Sequence, residues 1–231
     1  MTEEIQNNKL KILGKLAASL THEIRNPLSA LKLNLQYLNM SINKFSEEEA
    51  ECIKASLDAV ERIQILVDNT LTFSRNKSQE SAAFELNYVV KQAIEMVQNT
   101  AARKSIDINT SFSPDIPKLK FNKDKILQVV LNLITNAIEA SKTNSEIFVS
   151  TKLNPDGSVI LEVKDHGIGI GENDKSKIFN DFYTNKKNGT GLGLSVCKML
   201  LDEIGADIDF TSEINVGTKF FVTFPKSLIE E

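Results

Sequence analysis

Cysteine and histidine are scarce in this chain, and their scarcity limits its chemistry. Cys52 and Cys197 lie far apart on helical-looking segments without Cys-x-x-Cys spacing, so we expect reduced packing residues, and neither a disulfide nor a metal site. With only His22 and His166, a histidine-rich metal centre is not expected. The chain has no tryptophan, which decides nothing.

Long apolar runs and clusters of basic residues are also missing. No run approaches the roughly 18 apolar residues that cross a bilayer. The acidic start Met1–Glu4 has no signal-peptide character, so we expect a soluble chain without membrane contact of its own. A net charge of −4 and a pI near 5.4 argue against a surface for nucleic acid, and any phosphate binding must be local.

The chain is long enough for more than one domain. At 231 residues, 41% apolar and 25% charged, it can form one large or two small cores, and we predict two domains. The polar, aperiodic stretch Arg75–Ser81 indicates a linker. We assign residues 1–75 to the first domain, 76–81 to the linker and 82–231 to the second domain.

The first domain has the pattern of a helical hairpin. One helix is predicted from about residue 5 to 40, and after a break at Ser41–Phe45 the pair Ser46 and Glu49 forms a capping box for a second helix. The first helix carries an apolar stripe of Leu13, Leu20, Ile24, Leu28, Leu31, Leu35 and Leu38. A two-helix hairpin cannot bury such a stripe alone, so we predict a homodimer with a four-helix bundle. The alternative is a monomer whose stripe packs on the second domain.

His22 lies almost opposite this apolar stripe and is expected to face solvent. Glu23 is beside it in sequence, and Asn26 shares its face one helical turn later. Pro27 cannot donate a hydrogen bond to the Glu23 carbonyl, so the helix should loosen just after the histidine. A reactive imidazole next to a carboxylate suits nucleophilic or phosphoryl-transfer chemistry, whereas the plain alternative is a surface histidine.

The second domain mixes helices and strands. Helices are predicted at about 86–101, 122–141 and 194–204, with Asn122 as the N-cap of the second. Strands are predicted at 106–112, 147–153, 159–163, 207–211 and 218–224. This order, with an antiparallel hairpin at Asn154–Gly157, indicates an α+β sandwich with helices on one face of a sheet.

An asparagine pair marks one helix of this domain. Asn132 and Asn136 are one turn apart on one face, while the residues around them are apolar. Two amides so placed can supply oxygen ligands to a hard cation and donors to phosphate. The alternative is a pair of polar positions on an ordinary amphipathic helix.

Two glycine motifs follow. Asp165-His166-Gly167-Ile168-Gly169 stands at a strand end, where the carboxylate can accept a hydrogen bond from a base amino group and the glycines allow a tight turn. Gly189-Thr190-Gly191-Leu192-Gly193 opens a helix whose free N–H groups would hold a polyphosphate. A dinucleotide fingerprint does not fit here, because no strand leads directly into the motif and no parallel βαβ unit follows.

Taken in order, these motifs resemble the H, N, G1 and G2 boxes of sensor histidine kinases, and Ile178–Lys186 resembles their F box. Their ATP-binding domain is shared with type II topoisomerases, Hsp90 chaperones and MutL proteins. The resemblance covers about Lys9 to Phe224 and looks closest to the nitrogen-regulator and sporulation-kinase group. It implies an all-α helical hairpin, paired as a dimeric four-helix bundle, followed by a GHKL-type (Bergerat) α+β sandwich. It also implies a cytoplasmic location, alone or as the cytoplasmic portion of a membrane-tethered sensor.

The resemblance implies a role for each residue around the phosphoacceptor. His22 takes the γ-phosphoryl group of ATP, Glu23 orients or deprotonates its ring, and Asn26 positions water to dephosphorylate a partner. That partner is the receiver domain of a response regulator, which accepts the group on an Asp. We also expect Leu33, near the His22 face, to dock the ATP domain or the regulator.

The resemblance also implies the nucleotide contacts. Asn136 is the Mg²⁺ ligand, Asn132 supports the phosphates, and Asp165 reads the adenine amino group. The other contacts are Gly167, Gly169 and Thr218 near the base, and Lys186, Gly189, Gly191, Leu192 and Gly193 at the phosphates. Many relatives have a Lys three positions after the metal-binding Asn, where this chain has Glu139. The cation that meets the γ-phosphate is therefore open between Lys186 and Lys187.

Two other functions compete with the kinase. The first is a GHKL-type ATPase switch, in which ATP hydrolysis drives dimer closure and His22 is incidental; it does not need the upstream hairpin. The second is a non-catalytic phosphotransfer or scaffold protein with a degenerate nucleotide site, and the intact asparagine and glycine motifs argue against it.

Overall fold

A computed structural model describes residues 24, 26–72, 82–186 and 191–230, and every structural statement below concerns these residues. The chain divides into two compact units, residues 1–78 and 79–231. His22, Glu23, Lys187 and Gly189 lie outside the described residues. Within the described ranges, no helix combines the length and the apolar character that crossing a membrane requires.

Two helices and a short turn form the described part of the first unit. Helix α1 covers residues 26–40 and helix α2 covers Glu47–Thr72, with the 3-10 turn Ile42–Lys44 between them. The Ser46 N–H donates to Glu49 Oε2 at 2.8 Å, and the Glu49 N–H donates to Ser46 Oγ at 3.3 Å. The predicted capping box is confirmed, and its hydrogen bonds lower the pKa of Glu49.

The apolar stripe of this unit is only partly buried in the single chain. Leu28, Ile53 and Val60 are buried. Four further apolar side chains, Ile24, Leu31 and Leu38 in the first helix and Ile63 in α2, are 38 to 47% exposed. This is surface that the predicted second copy would cover.

One expectation about packing is wrong. Cys52 is exposed on α2, whereas Cys197 is buried as expected. The next residue, Ile53, carries the buried position, and successive helical side chains point about 100° apart.

A five-stranded sheet with the order β2-β4-β5-β7-β6 organises the second unit. The strands of this unit are β1 (Ala82–Phe84), β2 (Asp107–Phe112), β3 (Leu119–Phe121), β4 (Glu146–Leu153), β5 (Val159–Asp165), β6 (Asp207–Glu213) and β7 (Gly217–Phe224). Within the sheet β2 runs parallel to β4, and the other neighbours are antiparallel. Strands β1 and β3, which were not predicted, form a separate antiparallel pair.

Helices cover one face of this sheet. They are α3 (Leu86–Arg103), α4 (Lys123–Ala140) and α6 (Gly193–Asp202), and a one-turn helix α5 (Glu172–Lys175) follows the first glycine motif. Alternate residues of β4, β5 and β7 are buried and join the apolar faces of α3, α4 and α6 in one core. The predicted α+β sandwich is confirmed, as is Asn122 as the N-cap of α4, since its Oδ1 accepts from the Asp124 and Lys125 N–H groups.

The C-terminal end of α4 is fixed beside the end of β5. Lys104 Nζ donates to the carbonyls of Ile138 at 2.9 Å and Glu139 at 3.3 Å, which satisfies two acceptors that a helix end leaves free. The Ile168 N–H, in the loop after β5, donates to the Ala140 carbonyl at 3.2 Å. The loop with the first glycine motif is therefore tied to the helix that carries Asn132 and Asn136.

Candidate functional site

Asn132 and Asn136 lie beside the start of α6. Both are partly exposed, while the apolar residues around them on α4 are buried. Asn132 Nδ2 donates to the Gly193 carbonyl at 3.2 Å. A Cβ placed on Gly193 would lie 3.9 Å from Asn132 Cγ and 3.9 Å from Asn136 Nδ2. The asparagine pair and the second glycine motif, about 60 residues apart in sequence, thus meet at one place.

Asp165 is the last residue of β5 and is only 3% exposed. Its Oδ1 accepts the N–H of Gly167 at 2.8 Å and the N–H of Thr218 at 3.2 Å. Burial raises the pKa of this carboxyl above its ordinary value, against the opposing effect of the two N–H donors. Its Oδ2 accepts no hydrogen bond from any described residue, so it is available to a ligand donor.

The glycines after Asp165 stand where the backbone is crowded. A Cβ on Gly167 would come 2.3 Å from the Ala140 carbonyl oxygen. Gly169 has φ +70°, and a Cβ there would come 2.0 Å from the Glu213 carbonyl oxygen. Only glycine fits these two positions, because a side chain would collide with backbone that is itself fixed by α4 and β6.

A serine that the sequence did not single out supports this loop. Ser212 Oγ accepts the Ile170 N–H at 2.8 Å, donates to the Gly217 carbonyl at 3.0 Å and lies 2.8 Å from Thr218 Oγ1. Thr218 is buried and, through its N–H, also holds Asp165. A lone serine in a strand carries no sequence signal, so only the register of β6 against β7 reveals its role.

The second glycine motif is described from Gly191 onwards. Gly191 has φ +69°, and a Cβ there would come 2.3 Å from the Phe182 carbonyl carbon. Leu192 is the N-cap of α6, whose first turn begins at Gly193. Helix starts leave backbone N–H groups without intrahelical partners and carry a positive dipole end, which favours phosphate.

Lys186 reaches the same place from the segment before this motif. Its Nζ donates to Asn136 Oδ1 at 2.9 Å and to Glu139 Oε2 at 2.5 Å. The residues that precede it are held by Asp174, whose Oδ1 accepts the Tyr183 hydroxyl at 2.5 Å and whose Oδ2 accepts Asn185 Nδ2 at 2.6 Å. Sequence reasoning singled out Lys186 but not Asp174.

The second unit thus brings together most of the predicted nucleotide contacts. They are Asn132, Asn136, Asp165, Gly167, Gly169, Lys186, Gly191, Leu192, Gly193 and Thr218. Gly189, His22 and Glu23 lie outside the described residues. Asn26 and Leu33 belong to α1 in the first unit, and both are exposed, Leu33 by 65%.

Two parts of the chain match known domain families. Residues 12–79 match the His Kinase A (phospho-acceptor) domain. Residues 121–228, which include the asparagine pair and both glycine motifs, match the histidine kinase-, DNA gyrase B-, and HSP90-like ATPase family.

Individual relatives agree with these matches. Sporulation kinase E of Bacillus subtilis is 29% identical over 220 residues, which cover 95% of this chain and 29% of that protein. The crystallised catalytic domain of histidine kinase ThkA is 32% identical with a TM-score of 0.59, over 64% of this chain and 97% of that one. ThkA in complex with the response regulator protein TrrA is 27% identical with a TM-score of 0.67, over 97% of this chain and 65% of that one.

The chain belongs to the histidine kinase family, with a phosphoacceptor domain followed by an ATPase domain. It spans 29 to 52% of the length of the B. subtilis sporulation kinases E, B and D.

Proposed function

We propose that this chain is the catalytic region of a two-component sensor histidine kinase, which phosphorylates His22 from ATP and passes the group to an Asp of a response-regulator receiver domain. One observation carries the proposal. A single unit places a buried carboxylate with a free oxygen at one end of a site, and an asparagine pair, a helix start and a lysine at the other. A nucleoside triphosphate presents the matching groups, an amino-bearing base and a chain of phosphates.

Asp165 reads the adenine end. Its Oδ2 accepts a hydrogen bond from the adenine amino group, while Oδ1 stays bound to the N–H groups of Gly167 and Thr218. Gly167 and Gly169 let the loop pack tightly against α4 and β6 beside the base, and Thr218 supports it from β7. A donor and an acceptor paired in a buried site discriminate strongly against a base that lacks the amino group.

The start of α6 holds the phosphates. The phosphate contacts are Gly189, Gly191, Leu192 and Gly193, and Asn132 fixes this turn by its hydrogen bond to Gly193. Lys186 supplies the cation for the terminal phosphate. Its ammonium already lies at the asparagine pair.

Asn136 is the residue that fits a divalent cation. Its amide oxygen is the type of ligand that Mg²⁺ prefers, and in the structure it accepts a hydrogen bond from a cationic group. Bound Mg²⁺ would neutralise phosphate charge and orient the terminal phosphoryl group. Glu139 balances the positive charge of Lys186 beside it.

His22 is the phosphoacceptor. A neutral imidazole, with an ordinary pKa of about 6.5, attacks the γ-phosphorus. An N–P bond forms as the bond to the bridging oxygen breaks and ADP leaves, while Glu23 holds the proton of the other ring nitrogen. A carboxylate oxygen of the receiver Asp then takes the phosphoryl group, which restores the imidazole.

The first unit also supplies the partner contacts. Asn26 is exposed on α1, where it can position water for dephosphorylating the regulator, and Leu33 offers an exposed apolar contact to the regulator or to the ATP domain. Two copies pair through the partly exposed stripe of α1 and α2. This assembly operates in the cytoplasm, and its domains divide at residues 1–75 and 82–231, with 76–81 as linker.

Labelling with γ-labelled ATP and Mg²⁺ tests the proposal. Wild type should carry acid-labile, alkali-stable label, and both His22→Gln and Asn136→Ala should lose it. Asn109→Ala, the same change at an exposed residue of β2, should label like wild type. Phosphate release without protein-bound label, undiminished in His22→Gln, would contradict the kinase and support a GHKL-type ATPase switch.

A further inference from the structure

Asp174 has no part in the function proposed above, yet both of its carboxylate oxygens are engaged. Oδ1 accepts the Tyr183 hydroxyl at 2.5 Å and Oδ2 accepts Asn185 Nδ2 at 2.6 Å. Asp174 lies in α5, directly after the loop of Gly167 and Gly169. It therefore connects the segment that leads to Lys186 with the end of the site where the base should bind.

The segment Tyr183–Lys186 is fixed at both ends. At its start, Asp174 binds Tyr183, and the backbone of Phe182 and Tyr183 lies against Gly191, where a Cβ would come 2.3 and 2.5 Å from their atoms. At its end, Lys186 Nζ binds Asn136 and Glu139. Phe182 has φ +63°, a conformation that a non-glycine residue keeps only when its surroundings impose it.

Lys186 itself needs such support. It is exposed, and a lysine side chain with four rotatable bonds has many conformations available. Hydrogen bonds to an ionised carboxylate are stronger than neutral ones, so two of them on one aspartate can fix the backbone from which Lys186 extends. The direction of the lysine side chain then follows from the geometry of this short segment.

We propose that Asp174 is a positioning residue of the phosphate site, which holds Tyr183 and Asn185 so that the ammonium of Lys186 meets the terminal phosphate beside Asn136. The inference rests on the proposed function. It adds a residue, outside the glycine and asparagine motifs, that sets the affinity for the phosphate chain and does not affect recognition of the base.

Binding measurements separate positioning from a general structural role. The dissociation constants of AMPPNP, ADP and adenosine are measured for wild type, Asp174→Ala, Lys186→Met and the double variant. Asp174→Ala should weaken AMPPNP roughly tenfold and leave adenosine unchanged. In the Lys186→Met background the same change should have little further effect, because the two residues act through one contact.

Three other variants sharpen the test. Asp174→Asn keeps an acceptor oxygen for Tyr183 and should recover part of the AMPPNP affinity. Asn185→Ala removes one of the two hydrogen bonds to Asp174 at an exposed position. It should therefore weaken the binding of AMPPNP even if Asp174→Ala fails to fold. Glu172→Gln, a neighbour on α5 whose carboxylate pairs with Lys175, should bind all three ligands like wild type.

Tyr183 gives an independent signature of the contact. Its hydrogen bond to Asp174 raises the pKa of its phenol, so Asp174→Ala should lower that pKa in a Tyr37→Phe, Tyr88→Phe background, where Tyr183 is the only tyrosine. A lowered phenol pKa with unchanged AMPPNP affinity would overturn the positioning role. Equal weakening of AMPPNP and adenosine would also overturn it. If wild type bound none of the three ligands, the proposed function itself would fail.

Discussion

The ammonium of Lys186 lies 2.9 Å from the Asn136 amide oxygen, so the atom proposed to bind Mg²⁺ is already in contact with a cation. Glu139 holds the same ammonium at 2.5 Å. Lys186 must leave this oxygen when a divalent cation takes it, and the phosphate that arrives with the cation is the natural new partner. The ion pair with Glu139 therefore competes with nucleotide binding.

Glu139→Gln should tighten AMPPNP binding in the presence of Mg²⁺ by roughly threefold to tenfold, because Lys186 is then free to meet phosphate. The stability of the fold should change little, since both side chains of the pair are more than 40% exposed and such pairs contribute about 0–1 kcal/mol. Calorimetric titration and urea unfolding measure the two effects.

Two variants show whether this gain comes from Lys186. In a Lys186→Met background, Glu139→Gln should tighten AMPPNP much less. Glu203→Gln removes the partner of Lys125 in an ion pair of 2.6 Å at the opposite end of α4, about 20 Å away along the helix, and should leave the affinity unchanged. An equal gain with and without Lys186 would mean that Glu139 acts on the phosphates directly.

Asp165→Asn should weaken nucleotide binding while leaving the fold as stable or more stable near pH 7. The amide oxygen can still accept the N–H groups of Gly167 and Thr218, but the new amide donors would face the amino group of adenine. An unpaired donor in a buried site costs about 1–3 kcal/mol, which corresponds to a 5- to 150-fold loss of affinity. Competition binding and urea unfolding at pH 7 check both parts.

The pH dependence of stability gives Asp165 a second test. Because burial raises the pKa of this carboxyl above 3.8, the folded protein binds its proton more tightly than the unfolded chain does. The contribution of Asp165 to stability is therefore greatest below pH 3.8 and is lost as the pH rises through the raised pKa. Asp165→Asn has no carboxyl to ionise at this position. The free energy of unfolding of the variant, relative to that of wild type, should therefore increase as the pH rises from 3.8 through the raised pKa. A constant difference would show that the charge is not desolvated.

Gly169→Ala should destabilise the second unit far more than Gly205→Ala. Both glycines have φ +70°, so both substitutions carry about 1 kcal/mol of backbone strain. A Cβ on Gly205 meets nothing within 4 Å, whereas one on Gly169 would lie 2.0 Å from the Glu213 carbonyl oxygen and force the loop away from β6. Urea unfolding of the two variants measures the difference, and Gly169→Ala alone should also weaken adenosine. Similar losses of stability in the two variants would mean that the loop can move away from β6 without a cost in free energy.

Most of the fold follows from local sequence signals. Periodicity and caps predicted α3, α4, α6 and the five strands of the sheet, with ends within two residues of those observed. The pairs β1–β3 and β2–β4 were not foreseen, because a three-residue strand has no period to detect and the parallel register of β2 depends on a partner about 40 residues away. Cys52 was misjudged because burial on a helix changes from one residue to the next.

The candidate site also has residues that the sequence predicts and residues that it does not. Asn132, Asn136, Asp165 and the glycines stand in recognisable spacings, so the sequence alone proposes them as site residues. Ser212 and Asp174 could not, since each acts through contacts that span different elements, β6 to the glycine loop and α5 to the segment before Lys186. In the sequence, Glu139 stands where many relatives have a lysine. In the structure, its carboxylate binds Lys186, a lysine from another segment.

Cys197 should resist thiol reagents in the folded protein, although a free thiol at the surface would react. It is fully buried beneath Asn132, and burial raises the pKa of its thiol to about 12, so the thiolate is only about one part in ten thousand at pH 8. In Cys52→Ser, where Cys197 is the only thiol, the reaction with a chromogenic disulfide should be slow and should become fast in urea. In Cys197→Ser the exposed Cys52 should react fast without urea. Fast labelling of Cys197 in the native state would show that α6 opens readily from α4, and the start of α6 could then not be a preformed phosphate site.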